Sequence, residues 1–320
     1  MTDYKTIHGK KIKYFSSDPP GSVGEGQVWY NSTDTEFKSS VKVAAWSSGG
    51  AIPTATSSIK GSGTQTAGIA FGGNVPSNTD ATFEYDGSSW TTGGDLNTAR
   101  NSHVGTKNGT QTATICIAGS TTENTANCEE YNGTSWTEIA DVNTAIRGHG
   151  GAGTSTAGLK AGGNDNSATS EEWNGTAWSE GDDLNNGRSS IGEAGFGTQT
   201  AAVFSGGHDG ANRNFSEEYN GTSWTEGNNL NTARNEGGGF GIESAGQMCG
   251  GNLEPGFANQ NEAYDGTSWT EVANLSTGRT GHATGGTAAA AFATGGQTPS
   301  RVTSTEEWTD AGTVKTITDS

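Results

Sequence analysis

The sequence predicts an all-β protein in which six similar units close into a ring, and three recurring features support this prediction. A tryptophan returns every 42 to 46 residues along most of the chain. A glycine pair and an Asn-Gly or Asp-Gly dipeptide return with the same period. A fixed period in this range indicates a repeat architecture, and it therefore decides the fold before any local signal does. The recurring tryptophans are Trp46, Trp90, Trp136, Trp178, Trp224 and Trp269.

Each unit reads as four short strands. In the second unit, the run 112–118 is rich in small and β-branched residues, as expected of an inner strand, and the imperfect glycine pair Gly119-Ser120 follows it. Asn132-Gly133 lies between Tyr131 and Trp136 and predicts a type I′ hairpin with two residues of positive φ. Such four-stranded units gain a continuous core when they close into a ring, so the chain is predicted to be a six-bladed β-propeller.

The order of these features, from strand to glycine pair, variable loop, Glu-Tyr and Trp, resembles the kelch repeat, whose copies form propeller blades. The phrase Tyr-Asn-Gly-Thr-Ser-Trp-Thr-Glu at 131–138 and the phrase Asp-Leu-Asn-Thr-Ala-Arg at 95–100 are more specific. They resemble kelch-like arrays in structural and tail-fibre proteins of bacteriophages, especially marine ones. This resemblance implies a six-bladed kelch-like β-propeller and a structural role in a virion.

The predicted domain organisation is an N-terminal arm and adaptor hairpin at 1–40, followed by the propeller at 41–320. Residues 26–37 read as the hairpin and resemble a Gly-x-x-Trp-Tyr-Asn module of phage fibre proteins. Trp46 has no complete unit before it, and the last unit reaches Trp308 without a second tryptophan. We therefore expect the Trp46 strand to complete the sixth blade. The alternative is that residues 314–318 form its last strand.

Composition limits the function. A net charge of −18 argues against nucleic acid as a partner, because phosphate binding needs clustered Lys and Arg. Only 29% of residues are hydrophobic and 52 are glycine, which would suggest disorder if the repeat were absent. No run approaches the ~20 apolar residues of a membrane span, so no membrane insertion is expected. The N-terminus lacks the apolar centre of a signal peptide, which predicts export by assembly or lysis.

The N-terminal segment is basic on an otherwise acidic chain. We interpret it as an anchoring arm that docks on a virion partner, and the alternative is a solvated tail. The predicted anchoring residues are Lys5, Lys10, Lys11 and Lys13, with Trp29 and Tyr30 of the hairpin.

The loops after the glycine pairs differ most between units, and variation on a fixed scaffold is typical of binding sites. Their amide, acidic and aromatic side chains suit polar ligands such as host-surface glycans. The candidate ligand-binding residues are Asn164, Asp165, His208, Asp209, Asn252 and Phe257.

Three further sets of residues have a functional and a structural interpretation. The recurring Arg100, Arg188, Arg234 and Arg279 could form an anion site at a channel mouth; we favour pairing with the glutamates Glu84, Glu130, Glu172, Glu218 and Glu307. The equivalent His103, His149 and His282 could meet at the axis around a metal, but we favour inner-strand histidines whose ring nitrogens are satisfied by hydrogen bonds. Cys116 and Cys128 are either buried thiols or a disulfide.

No catalytic constellation, cofactor site or metal site is predicted. We expect a non-enzymatic structural protein of a phage virion, as a tail fibre, spike or surface decoration, assembled in the host cytoplasm. Its expected partners are other virion proteins, further copies of itself and a host-surface glycan. One alternative is a carbohydrate- or receptor-binding module. The other is a secreted glycan-active enzyme.

Overall fold

The computed structural model describes residues 13–17 and 28–316 of the chain. Within these residues there are 26 β-strands and a single short 3₁₀ turn, Asn164–Asn166. The strands form six sheets, which confirms the predicted all-β, six-bladed propeller with an N-terminal hairpin. No helix among the described residues is long and apolar enough to cross a membrane.

The chain divides into two compact units. The first holds residues 1–45 and 309–320, and the second, which contains the ring, holds residues 46–308. The predicted boundary between residues 40 and 41 stays a prediction. The first three strands are β1 (Lys13–Phe15), β2 (Val28–Asn31) and β3 (Glu36–Gly49).

The N-terminal hairpin is formed by β2 and β3, which pair antiparallel from Val28↔Ser39 to Asn31↔Glu36. Its turn is held by the Asn31 side chain, whose Oδ1 accepts hydrogen bonds from the N–H groups of Thr33 and Asp34. Strand β1 pairs parallel with β2. The hairpin predicted at 26–37 is therefore present in the described residues.

The blades follow one another along the chain, each as an antiparallel meander. Blade 1 comprises β4 (Lys60–Thr64), β5 (Ala67–Phe71), β6 (Thr82–Tyr85) and β7 (Trp90–Thr92). Blade 2 comprises β8 (Val104–Gly105), β9 (Thr114–Ser120), β10 (Asn124–Tyr131) and β11 (Trp136–Ile139). Blade 3 comprises β12 (Gly150–Thr154), β13 (Ala157–Ala161), β14 (Ser170–Trp173) and β15 (Trp178–Glu180).

The second half of the ring repeats this plan. Blade 4 comprises β16 (Gly195–Thr198), β17 (Ala201–Ser205), β18 (Ser216–Tyr219) and β19 (Trp224–Glu226). Blade 5 comprises β20 (Gly238–Ile242), β21 (Ala245–Cys249), β22 (Asn261–Tyr264) and β23 (Trp269–Val272). Blade 6 comprises β24 (Ala283–Thr287), β25 (Ala290–Thr294), β26 (Thr305–Thr316) and, from the other end of the chain, β3.

Ring closure depends on β3. It lies beside β26 in the sheet, and the Trp46 and Trp308 rings are 5.5 Å apart. The expectation that the Trp46 strand completes the sixth blade is confirmed. The alternative is wrong, because residues 314–316 continue β26 instead of forming another strand. The first strands of all six blades contact their neighbours around a central axis, so the ring is complete.

The predicted hairpin turn between the third and fourth strands is corrected by the structure. In blade 1 the pair Tyr85↔Trp90 encloses four residues, not two, and only Gly87 among them has a positive φ. The Asp86 carboxylate accepts hydrogen bonds from the N–H groups of Ser88 and Ser89 and so supplies the turn geometry. The Asn or Asp is needed as an acceptor, and the glycine alone needs the left-handed conformation.

The glycine pair of blade 2 is also shifted by one residue. Ala118 has φ 51° and Gly119 has φ 110°, close to the 61° and 106° of Gly72 and Gly73 in blade 1. The equivalent pair is therefore Ala118-Gly119, and the predicted Gly119-Ser120 is wrong. The first member matters because the neighbouring blade packs onto it: the His103 ring lies over Gly72, where a Cβ would come within 2.4 Å of Cε1.

The recurring tryptophans pack on the aromatic residue directly opposite in the hairpin. Five of them are at most 7% exposed, and the ring centroids are 4.7 to 5.5 Å apart. These five pairs are Tyr85–Trp90, Tyr131–Trp136, Trp173–Trp178, Tyr219–Trp224 and Tyr264–Trp269. The sixth, Trp46, is half-buried.

Two kinds of polar contact join successive blades. The hydroxyl of Tyr131 donates to the Glu84 carboxylate of the preceding blade at 2.7 Å, and Tyr85, Tyr219 and Tyr264 do the same to Glu307, Glu172 and Glu218. The recurring arginines are buried, and each pairs with the glutamate two residues before the aromatic residue of the third strand. These pairs are Arg100–Glu129, Arg188–Glu217, Arg234–Glu262 and Arg279–Glu306.

The predicted partners Glu84, Glu130, Glu172, Glu218 and Glu307 are therefore wrong for the arginines by one residue. Successive strand residues point to opposite faces, so only the first glutamate of each phrase can face the arginine. In blade 3 the arginine position holds Ile146, and Lys160 on the adjacent strand supplies the cation to Glu171 at 3.0 Å.

The three cysteines are free and buried. Cys128 lies opposite Ile117 and Cys116 lies opposite Glu129, so the two thiols are on neighbouring strands but one position out of register. They consequently point to opposite faces of the sheet, which excludes the disulfide that the sequence left open.

Candidate functional site

One face of the ring gathers every segment that varies between units. In a four-stranded meander, the linker before the first strand and the loop between the second and third strands lie on the same side. We call this the loop face. It surrounds one mouth of the central channel, and it holds all the candidate ligand-binding residues predicted from sequence.

The channel mouth on the loop face is narrowed by one residue from each blade. All six have a positive φ, between 50° and 66°, although four of them are not glycine. We call this set the axial ring: it consists of Ser58, Ser102, Gly148, Ser190, Glu236 and Gly281.

Backbone hydrogen bonds tie members of the axial ring together across blade boundaries. The N–H of Gly148 donates to the carbonyl of Ser102 at 2.9 Å, and that of Glu236 donates to Ser190 at 2.9 Å. The N–H of Gly281 donates to Glu236 at 3.2 Å. A left-handed backbone in a non-glycine residue costs energy and persists where the surroundings fix it, so the opening is held to a defined size.

A small cavity lies at the axial ring. Its volume is about 20 Å³, enough for about one water-sized group. Besides the axial ring, its walls include Lys60, His103 and Gly192. Lys60 is only 4% exposed, and a Cβ on Gly192 would lie 3.7 Å from its Nζ. We call this cavity the axial cup.

Deeper along the axis, Lys107 and Glu193 form a buried ion pair in which both side chains are 1% exposed. Lys107 Nζ also donates to the carbonyl of Thr284 at 2.9 Å, and Glu193 Oε2 accepts from the N–H of Gly61 at 3.2 Å. The pair thus joins blades 1, 2, 4 and 6. Burial lowers the pKa of Lys107, and the Glu193 carboxylate opposes this shift.

Both members of this pair come from insertions in the repeat. Five residues separate the axial-ring residue from the glycine of the following turn in blade 1, where Ser58 precedes Gly63. The same step takes seven residues from Ser102 to Gly109 and from Ser190 to Gly197. The first strands of these blades are shortened, since β8 ends at Gly105, before Lys107, and β16 begins at Gly195, after Glu193.

The opposite mouth of the channel is wider and more apolar. It opens into a cavity of about 510 Å³ lined by the turns between first and second strands of blades 1, 2, 5 and 6. Ile242, which is 50% exposed, lies at this mouth beside Ala245. Lys107 of the buried ion pair also lines this cavity.

The three recurring histidines, His103, His149 and His282, are buried and uncharged. Burial is the largest cause that lowers the pKa of His149 to about 3, and it lowers the pKa of His103 and His282 well below the usual value. Among the described residues there is no group of three His, Cys, Asp or Glu side chains that could hold a metal ion. These rings pack between blades, as His103 does over Gly72. The expectation that the ring nitrogens are satisfied is wrong for His149, because neither of its ring nitrogens has a hydrogen-bond partner among the described residues.

The predicted ligand-binding residues lie in three neighbouring loops, in blades 3, 4 and 5. Asn164 accepts the N–H of Arg147 at 3.1 Å, and exposed Asp165 has φ 60°. His208 Nε2 lies 3.7 Å from the Glu254 carboxylate of the next blade. The structure thus brings His208 toward the loop of Asn252 and does not place Asn164 in contact with either.

The other three candidates are engaged within their loops. The Asp209 carboxylate accepts from Arg213 Nε at 2.5 Å. Asn252 Oδ1 accepts the N–H of Glu254 at 3.1 Å, and the Asn252 backbone bridges to Phe257. These contacts hold the loops in a fixed conformation without a ligand.

The predicted anchoring residues are only partly described. Lys5, Lys10 and Lys11 lie outside the described residues, and Lys13 is the first residue of β1. Trp29 is 1% exposed, and the Tyr30 ring is 5.2 Å from Phe37. The two aromatics of the hairpin therefore have structural contacts of their own.

Sequence reasoning missed the axial residues Lys60, Lys107 and Glu193. The repeat spacing carried a signal for two of them, because blades 2 and 4 each hold two extra residues before the Gly-Thr turn. Nothing in the spacing marked Lys60. The arginine pairing also had a signal: blade 1 has Thr56 at the arginine position and Phe83 at the glutamate position, so both partners are missing together.

No protein-family model and no curated protein matches the chain. Solved structures do match it, among them one titled "Structure of YjhT". That structure is 13% identical, with a TM-score of 0.66, and the match covers 83% of this chain and 99% of the other. At this identity the similarity supports the propeller fold alone.

Proposed function

We propose that this chain is a non-enzymatic display protein of a bacteriophage particle, a kelch-like propeller carried by a separate attachment unit. It acts as a tail fibre, spike or surface decoration and contacts other virion proteins in multiple copies. The proposal rests on the resemblance of the repeat sequence to phage structural proteins and on one structural observation. Residues from both ends of the chain belong to one unit, distinct from the unit that forms the ring.

The use of the carboxylates also supports a non-enzymatic role. General acid and base catalysis by glycan-active enzymes needs two carboxyl groups facing a shared pocket. Here the repeated glutamates serve the architecture, since one set pairs with buried cations and the other accepts tyrosine hydroxyls. A secreted glycan-active enzyme is therefore the least favoured alternative.

A second candidate function, compatible with the first, is recognition of a host-surface carbohydrate by the loop face. Its support is the fixed conformation of adjacent loops. Asn235 donates to Asn212 at 2.5 Å, and Asn212 donates to the backbone carbonyl of Asn252 at 2.8 Å, across successive blades. Pre-organised polar loops lose little entropy on binding, which favours ligands that offer many hydroxyl groups.

The attachment proposal is tested with particles that lack this chain. Tagged full chain and a version without residues 1–40 are added, and incorporation is measured after sedimentation. We expect the full chain to incorporate and the truncated chain to stay in solution. Circular dichroism and the melting temperature confirm that the truncated ring is folded. Equal incorporation of both would place the attachment in the ring, and failure of both would exclude a virion role.

The carbohydrate proposal is tested by binding of the full chain to immobilised envelope polysaccharide of the host. Asp165→Ala is the matched probe, because its side chain is exposed in a candidate loop. Glu180→Ala on the outer strand of blade 3 is the control, since it removes the same charge away from that loop. Binding that both variants retain in full would contradict a role for this loop.

A further inference from the structure

Lys60 is the exception among the buried cations of the ring. Every other Lys or Arg that is buried in the described residues lies within 3.0 Å of a carboxylate; these are Arg100, Lys107, Lys160, Arg188, Arg234 and Arg279. Lys60 is 4% exposed, and its side-chain ammonium makes no hydrogen bond or ion pair with any described residue. The Lys60 ammonium therefore has no counter-charge among the described residues, and a positive charge in a largely buried position is stabilised by an anionic partner.

The axial cup offers the place for that partner. Lys60 lines it together with Ser58 and Ser190, whose hydroxyls can donate hydrogen bonds into it. The cavity of about 20 Å³ admits one group of the size of a water molecule or a small ion. Anything larger is excluded by the axial ring, whose backbone is fixed by hydrogen bonds between blades.

The charges around the cup indicate that the occupant carries a negative charge. His103, which lines the cup, and His149 are neutral, and Lys107 and Glu193 compensate each other. Lys60 is therefore the excess charge on the axis. Among the described residues that line the cup, the one acidic group is Glu236, which is half-buried and whose carboxylate accepts a hydrogen bond from Thr280 Oγ1 at 3.2 Å.

We propose that Lys60 and the axial ring form a binding site for one small monovalent anion. The occupant is either a halide such as chloride or one oxygen of the carboxylate group of an organic acid, because each places one negatively charged atom in a space of this size. The bound anion pairs with the Lys60 ammonium and accepts hydrogen bonds from the serine hydroxyls. Glu236 at the rim weakens binding by repulsion, and the site is independent of attachment to a particle.

The test measures unfolding of the full chain by urea in sodium salts at constant ionic strength, with methanesulfonate as the balancing anion. An anion that binds only the folded state stabilises it in a saturable way, so titration gives an apparent Kd. We expect stabilisation by chloride or by acetate, and the response to each shows whether a halide or a carboxylate occupies the site. In crystals grown in bromide, we expect an anomalous peak beside Lys60 Nζ.

Three variants make the test specific. Lys60→Met keeps the length of the side chain and removes the charge, so the anion dependence should disappear. Arg147→Met removes a positive charge from an exposed position beside the axial ring and should keep it. Glu236→Gln removes the rim repulsion and should tighten binding about three- to tenfold.

Two results would overturn the proposal. One is a wild-type chain whose stability does not respond to chloride or acetate and that shows no bromide at Lys60. The other is an anion response that Glu236→Gln weakens, since a site for an anion cannot lose affinity when a neighbouring negative charge is removed. The Glu236 variant keeps the test decisive if Lys60→Met does not fold.

Discussion

Glu193→Gln should be among the most destabilising conservative substitutions in the ring. The change keeps the shape of the side chain and one carbonyl oxygen, but it removes the charge that compensates Lys107. Both side chains are 1% exposed, so water cannot replace the lost partner. Breaking a buried ion pair from one side typically costs about 3–5 kcal/mol, and we expect a loss in that range.

The double variant Lys107→Met/Glu193→Gln separates the charge from the packing. Without the ammonium, the glutamine no longer leaves an uncompensated charge, so the double variant should be more stable than Glu193→Gln alone by about 1–2 kcal/mol. The control is Arg213→Gln, which breaks the partly exposed pair with Asp209. Surface pairs contribute about 1 kcal/mol or less, so this control should lose little.

The assay is equilibrium unfolding in urea, followed by tryptophan fluorescence at neutral pH. The free energy of unfolding is compared between variants for which it falls equally steeply with urea concentration. A different slope would mean that the compactness of the folded or the unfolded state has changed. If Glu193→Gln costs no more than Arg213→Gln, the axial pair is not the buried junction of four blades described above, and the reasoning fails.

Further predictions concern the histidines, the tyrosines and the thiols. The pKa of His149 is about 3 in the folded chain and about 6.5 when unfolded, so its contribution to stability is present above pH 6.5 and is lost as the pH falls toward 3. His149→Ile, which copies Ile191 of blade 4, should therefore lose less stability between pH 7 and pH 4 than the parent chain, and an unchanged acid response would contradict this. Tyr131→Phe removes the hydroxyl that donates to Glu84 and should cost about 1 kcal/mol in urea unfolding, whereas an effect above 3 kcal/mol would mean that the contact does more than link two blades. A thiol reagent should label no cysteine in the folded chain and three after denaturation without reductant, because burial raises the pKa of each thiol and none is paired. The thiols are Cys116, Cys128 and Cys249.

The architecture could be predicted from the sequence because the same pattern of residues recurs in each unit of the repeat. The period fixed the number of blades, and the complementary defects at Trp46 and Trp308 predicted how the ring closes. These inferences needed only distances along the chain. The local errors, at the hairpin turn and at Ala118, were single-residue errors, because boundaries between turn and strand depend on register and not on residue type.

The sequence by itself determined an all-β, six-bladed ring with a hairpin before it. Only the tertiary structure decided which charges meet. Strand pleating selected Glu129 instead of Glu130 as the partner of Arg100, and it placed the Cys116 and Cys128 thiols on opposite faces. Closure of the ring brought Lys107 and Glu193 together across 86 residues, and it left the Lys60 ammonium at the axis without a carboxylate partner among the described residues. Radial distance from the axis is a property of the closed ring, so no spacing along the chain could show it.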